Sequence, residues 1–254
     1  MPRKHRRELS QNFLHDRRVA ADLCAPVSAS PLPVVELGAG AGAVTAELVR
    51  RGHEVTAVEV DPRLVRTLRR RFDGLVRVVQ ADMLRFRFPR TPYNVVSNVP
   101  YSITTPLLRM LFSEPDWKVA ALMVQWEVAR KRTGGTMLSA SWWPWFDIEL
   151  VRRVPARAFR PAPTVDSGLI RLTRRIEPRL PSAERAAYQR LVTAVFTGPG
   201  SGVAGILRAH LPRGELRRWI RAQQVSPVAL PKDLTLDQWV SLYRAVSSGS
   251  RGRT

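Results

Sequence analysis

The sequence predicts an α/β domain built on a mostly parallel sheet, followed by a small all-helical domain. Two observations carry this expectation. Between Pro33 and Arg175, short apolar runs alternate with helix-like stretches, the pattern of strands joined by crossover helices on both faces of a sheet. Beyond Arg175 the strand-like runs stop and amphipathic helical stretches take over.

Each element follows in order. Pro33 to Leu37 reads as a buried strand ending in a glycine loop, and Ala43 to Arg51 as a helix offering Ala43, Ala46, Leu48 and Val49 as an inner face. Glu54 to Val58 is the next strand. Asp61 and Pro62 then supply an N-cap and a first-turn proline for a helix to Phe72. Leu75 to Val79 and Tyr93 to Val96 are further strands, Thr104 to Phe112 a helix, Val119 to Val124 a strand and Trp126 to Arg132 a short helix. Met137 to Phe146 and Val165 to Leu172 are expected to close the domain as two strands, paired as an antiparallel hairpin at the sheet edge because no helix separates them. Residues 1–176 form this first domain. Glu177 to Pro181 is a linker, since neither of its prolines continues a helix or strand interior. Helices over Ser182–Phe196, Gly205–Leu211, Glu215–Gln223 and Leu236–Val246 make the second domain, 182–246, and 247–254 is a polar tail.

Composition narrows the function. The chain of 254 residues carries 41 Lys+Arg against 21 Asp+Glu, a net charge of +20, with 44% hydrophobic residues. That hydrophobic share belongs to a folded protein, and the charge excess calls for a polyanionic partner, nucleic acid first and an anionic membrane surface second. The single cysteine, Cys24, excludes a disulfide-stapled secreted domain. Four scattered histidines without a second cysteine give no metal site. No apolar run approaches the roughly 20 residues of a membrane helix. The N-terminus lacks a signal-peptide apolar core, interrupted as it is by Asp16, Arg17, Arg18 and Asp22. A cytoplasmic protein is expected, and a monomer.

In an open parallel sheet, ligands sit outside the carboxyl ends of the strands. Here those ends gather polar groups: Glu36 to Gly42 after the first strand, Glu59 after the second, Ala81, Asp82 and Met83 after the third, and Ser97 to Tyr101 after the fourth. Gly38, Gly40 and Gly42 allow close backbone approach to a ligand, although a tight turn would use them equally well. Glu59 follows Gly38 at the offset of an acid that binds ribose hydroxyls, and Asp82 is placed to accept from an adenine amino group. Asp61 reads as a helix cap. Together these features indicate an adenosine-containing cofactor and leave NAD and S-adenosylmethionine both open.

Asn98, Val99, Pro100 and Tyr101 decide between the two. The lone pair of an exocyclic purine amine is delocalised into its ring, which makes the amine a poor nucleophile. The Asn98 side-chain oxygen and the Val99 carbonyl can accept both of its hydrogens and favour a pyramidal nitrogen facing an electrophilic methyl. Pro100 stiffens the turn and Tyr101 offers a stacking face.

The stretches Ser10–Leu14, Glu36–Gly42, Val58–Asp61, Gln80–Met83, Asn98–Tyr101 and Phe159–Asp166 stand in the order of the ribosomal RNA adenine N6-methyltransferases, which the chain resembles over residues 5–175. Within them it is most similar to the erythromycin-resistance (Erm) enzymes of actinomycetes, which modify 23S rRNA; Trp126–Arg132 and Ser141–Phe146 fit that branch. The resemblance implies a Rossmann-like S-adenosylmethionine-dependent methyltransferase fold with a seven-stranded sheet. It implies cofactor contacts by Gln11, Asn12, Leu14, Gly38, Gly40, Glu59, Asp82, Met83 and Asn98. It further implies that Phe159 holds an extruded adenine against Tyr101, since a paired or stacked amine cannot meet the methyl. A loop anchor in the core is the other reading of Phe159. Ribosomal RNA is the expected partner, with 23S favoured. Two alternatives stand beside that function: a small-subunit rRNA adenine dimethyltransferase, and a non-catalytic nucleic-acid binder on a methyltransferase fold.

Overall fold

A computed structural model describes residues 12–251. It divides into two compact units, one of residues 12–130 with 148–174, the other of 131–147 with 175–251.

The first unit carries the sheet. Its strands are β1 (Phe13–Leu14), β2 (Val34–Leu37), β3 (Val55–Glu59), β4 (Val76–Gln80), β5 (Tyr93–Asn98), β6 (Trp117–Gln125), β7 (Phe146–Val154), β8 (Phe159–Arg160) and β9 (Ser167–Arg174). Seven of them form one sheet in the order β4-β3-β2-β5-β6-β9-β7, while β1 and β8 pair separately and antiparallel. The five strands from β4 to β6 run parallel, and β9 joins β6 antiparallel. The strand order reverses between β2 and β5. The loops leaving their carboxyl ends diverge there and open a crevice.

Helices α1 (Arg17–Ser28), α2 (Ala43–Arg50), α3 (Pro62–Arg71) and α4 (Thr104–Ser113) belong to this unit. The Asp61 carboxylate caps α3 by accepting the Arg63 N–H at 2.7 Å, and Pro62 opens the helix as expected. Helix α1 was not among the expected elements. The Asp16 carboxylate accepts the N–H groups of Arg18 and Val19, and Val19, Ala20, Leu23, Cys24 and Val27 fall on one buried face. That face packs on α2, β5 and β6 and adds to a core containing Leu48, Val96, Met123, Leu169 and Phe159.

The hairpin reading of 137–146 is corrected. Helix α5 (Trp126–Thr133) is followed by α6 (Met137–Trp142), and the edge strand is β7, nine residues later in onset than expected. Thr136 caps α6 by accepting the Ser139 N–H, and Ser139 in turn donates to the Arg132 carbonyl at 2.8 Å. Pro144 cannot donate to a strand ladder, whereas Phe146, Ile148, Leu150 and Val154 alternate with polar residues as a half-buried strand requires. The stretch 131–147 accordingly groups with the second unit and not with the first domain as drawn from the sequence.

The second unit also contains α7 (Arg185–Thr197), α8 (Gly202–Ile206), α9 (Arg213–Ala222) and α10 (Leu236–Arg251). Tyr188 donates to the Ala140 carbonyl at 2.9 Å and sets its ring edge-on to Trp145, while Phe196 stacks on Trp239. Helix α10 runs through much of the segment read as a polar tail. Its serines 247 and 248 continue the helix, and Ser248 folds its hydroxyl back onto the Arg244 carbonyl.

Candidate active site

The reversal between β2 and β5 opens onto a cavity of roughly 320 Å³ in the first unit. Twelve of the thirteen residues singled out from the sequence line it. Gln11, the thirteenth, lies outside the described residues.

On one side the wall is main chain. Gly38, Gly40 and Gly42 all have positive φ, at 74°, 56° and 81°. A Cβ on Gly38 would stand 2.7 Å from the Met83 methyl, and one on Gly40 would stand 3.2 Å from the Phe13 ring. The glycines therefore serve both the turn and the close packing around it. Glu59, only 4% exposed, closes the end of β3. One of its oxygens accepts the Gly40 N–H at 2.8 Å, and the other accepts the N–H groups of Val60 and Asp61, both at 2.9 Å. Three backbone donors thus fix the carboxylate against the glycine loop. Asp82 uses one oxygen on the Leu84 N–H at 2.9 Å, the local bond of an Asx turn. Met83 follows it in the wall, and Leu14, nearly buried, contributes an apolar edge from β1.

On the other side are Asn98, Val99, Pro100 and Tyr101 at the end of β5. The Asn98 side-chain amide donates from Nδ2 to the Asn12 carbonyl at 3.0 Å. Asn12 therefore meets Asn98 through its main chain, and the bond orients the amide with Oδ1 left as its acceptor. The Val99 N–H is used on the Met123 carbonyl, so the turn after β5 is pinned to β6. Tyr101 shares a hydrogen bond of 2.8 Å between its hydroxyl and that of Ser167. Burial pushes the phenol above its ordinary range, partly offset by Ser167, and keeps it neutral. Phe159 has two surroundings. It is 2% exposed and belongs to the core of the first unit, and it also lines the cavity.

Two features go beyond the sequence reading, which places Glu36 only at the head of the glycine loop and does not single out Ser167. Glu36 lies within β2 with 2% exposure and lines the cavity floor, its Oε2 accepting the Thr45 hydroxyl at 2.6 Å. Burial raises its carboxyl to about 8, against the smaller opposing effect of Thr45, and Glu59 nearby raises it further. A glutamate in the run Val34–Leu37 signals a buried acid in principle, because strands of a covered parallel sheet are otherwise apolar. Ser167 gives no such signal, since its partner lies 66 positions away.

The arrangement offers a backbone cradle with two fixed carboxylates beside a planar acceptor and two aromatic walls. A neutral acceptor such as Asn98 Oδ1 can orient the hydrogens of a nitrogen nucleophile without removing a proton. No described helix is long and apolar enough to cross a membrane.

The chain is similar to known proteins over most of its length. The family model described as ribosomal RNA adenine dimethylase matches residues 3–247. The mycinamicin-resistance protein MyrB of Micromonospora griseorubida is 51% identical over 243 residues, 94% of this chain and 78% of that protein. An rRNA adenine N-6-methyltransferase of Corynebacterium diphtheriae is 42% identical over 207 residues, 80% of this chain and 82% of the relative. The crystal structure of the 23S rRNA methyltransferase ErmE superposes with a TM-score of 0.87 at 35% identity, covering 93% of this chain and 100% of that one. The fold is thus the Rossmann-like methyltransferase fold, and the match runs well past the glycine loop into the helical segments. On that extent of likeness, the chain belongs to the ribosomal RNA adenine dimethylase family.

Proposed function

We propose that the chain is a 23S rRNA adenine N6-methyltransferase that confers resistance to macrolide-type antibiotics, acting in the cytoplasm with S-adenosylmethionine as its methyl donor. The observation that carries this reading is the orientation of Asn98. Its amide nitrogen is committed to the Asn12 carbonyl, so the oxygen stands as an acceptor in the wall shared with Val99 and Tyr101.

S-adenosylmethionine suits the other side of the cavity. The positive-φ glycines leave room for a ligand against the main chain, and the Glu59 and Asp82 carboxylates retain lone pairs for ribose hydroxyls and an adenine amine. Gly38, Gly40, Asn12, Leu14 and Met83 complete the set that would hold it. When bound, the sulfonium supplies a methyl that needs no further activation.

The work of the protein is then positional. Asn98 Oδ1 and the Val99 carbonyl accept the two hydrogens of the target amine and draw its lone pair out of conjugation with the ring. Tyr101 and Phe159 hold the extruded base between them. These bonds strengthen as the nitrogen becomes pyramidal, so they act on the transition state more than on the bound substrate.

Expression in a macrolide-sensitive bacterium tests the reading. A reverse-transcription stop at an adenine of 23S rRNA, together with raised macrolide tolerance, is expected. A stop in small-subunit rRNA would assign the chain to ribosome assembly instead, and the absence of any stop would remove the catalytic reading.

A further inference from the structure

We infer that Ser167 is a positioning residue for the methyl transfer: its hydroxyl fixes the Tyr101 ring and, through the segment 159–167, sets the spacing between the two aromatic walls of the adenine site. The inference deepens the proposed function and rests on it.

Three observations support it. Ser167 is fully buried, and its Oγ lies 2.8 Å from the Tyr101 hydroxyl. Tyr101 stands just after β5 in a short turn of 3₁₀ helix, where the ring has no other described hydrogen bond to fix its angle. A phenol held at its far end by a buried hydroxyl cannot swing about its Cα–Cβ bond without breaking that contact.

Ser167 is itself immobilised. It begins β9 opposite Gln125 of β6. The next residue is Gly168, at which a Cβ would stand 2.4 Å from that of Ala129, so the strand is packed too closely to slide. Immediately before it, the Asp166 carboxylate accepts the Ala156 N–H at 2.9 Å and the Arg153 Nε–H at 2.7 Å. The Asp166 carbonyl accepts the Trp126 N–H at 2.9 Å, and the Arg153 guanidinium lies over the Trp126 ring. The Ala156 N–H, with the Arg153 guanidinium, holds the Asp166 carboxyl below its ordinary range, so the clamp stays ionised.

Phe159 lies eight positions before Ser167 on this same segment, held by pairing with Leu14. One stretch of chain therefore carries one aromatic wall directly and anchors the other by its hydroxyl. A base entering between them meets a gap that is already set, which is the form of preorganisation that favours reaction over mere binding.

The experiment compares wild type, Ser167→Ala, Tyr101→Phe and the double variant. Three quantities are read: single-turnover methylation of a saturating 23S rRNA fragment, S-adenosylmethionine affinity by calorimetry, and fluorescence of 2-aminopurine placed at the target adenine. Ser167→Ala is expected to lower the turnover rate about 3- to 10-fold, the worth of one hydrogen bond. It should weaken the stacking quench of 2-aminopurine and leave cofactor affinity unchanged. Tyr101→Phe keeps the ring and should lose a similar factor, and the double variant should be no slower than Tyr101→Phe alone. Losses that multiply in the double variant, or a wild-type rate in Ser167→Ala, would overturn the inference while leaving the enzyme reading intact. If Ser167→Ala does not fold, Tyr101→Phe decides, because a wild-type rate there would show the hydroxyl contact to be idle. A wild-type protein that leaves the adenine unmethylated would remove the reading and the inference together.

Discussion

The glycine-loop side of the cavity is held by backbone N–H groups of its own loops, whereas Asn98 and Tyr101 on the other side are held by partners far away in the sequence. Glu59 receives three backbone N–H groups, two from the turn that follows it and one from Gly40, and Asp82 receives one from its own turn. Asn98 instead depends on a carbonyl 86 positions away, and Tyr101 on a hydroxyl 66 positions away. The first kind of construction is local and tolerant of change elsewhere. The second requires the whole unit to be assembled, as suits groups whose angle to the reacting nitrogen matters more than their presence. Substitutions on the two sides should therefore fail differently, in cofactor affinity on one and in rate or target-base binding on the other.

The largest effect is expected at Asn98. Asn98→Ala removes one of the two acceptors for the amine and leaves the Asn12 carbonyl without its donor. Loss of one preorganised hydrogen bond to a transition state typically lowers the rate on the order of 10²- to 10³-fold. Single-turnover methylation should fall by that factor, with S-adenosylmethionine affinity falling far less. A folded Asn98→Ala protein that turns over at the wild-type rate would break the distinction between the sides.

Tyr101→Ala should follow. A base–aromatic stack contributes about 1–3 kcal/mol, so the apparent affinity for the RNA substrate at the target base should drop correspondingly, and calorimetry should find cofactor binding retained. Gly38→Ala tests the opposite side. A left-handed conformation costs a non-glycine residue roughly 1–2 kcal/mol, and the added methyl must also displace Met83. Weaker S-adenosylmethionine binding, with turnover largely recovered at saturating cofactor, is the expected pattern. A rate loss that saturation does not recover would mean that the glycine loop also orients the amine.

This contrast also explains what the sequence made legible. The positive-φ glycines make a local turn, the Asp61 cap and Asp82 each bond within two residues, and Glu59 bonds the two residues after it as well as Gly40, so local pattern carries much of their meaning. The parallel strands read equally well, because runs such as Ala120–Val124 are buried throughout and apolar to match. Where placement depends on distant partners, the pattern failed. The apolar run after Met137 has the composition of a strand, yet Thr136 capping and the Tyr188 bond to Ala140 make it helical. Helix α1 was passed over because its charged first turn hides a buried face that appears only from Val19 onward. Ser167 was invisible as a partner of Tyr101, because the two lie 66 positions apart. The candidate site was thus readable as a set of residues, while the bonds that aim them were not.

The smallest expected effect concerns the acid beneath both sides. Glu36 has a folded-state carboxyl near 8 against an ordinary value of 4.5, raised chiefly by burial. The folded protein therefore binds this proton more tightly than the unfolded chain does. The stability that comes from the neutral form is complete below about 4.5, declines as pH rises above it, and is gone once pH passes about 8. Glu36→Gln keeps an oxygen to accept the Thr45 hydroxyl and removes the titration. Its melting temperature relative to wild type should climb steadily from pH 5 to pH 8 and then level off. Thermal denaturation of both proteins across that range makes the comparison, other titrating groups cancelling in the difference. Because the change lies in the cavity floor and not in the wall formed by Asn98 to Tyr101, single-turnover rate at saturating cofactor should move little at pH 7. A difference in melting temperature that stayed flat with pH would mean that Glu36 is ionised in the folded protein, with the Thr45 hydroxyl and its other neighbours compensating its charge.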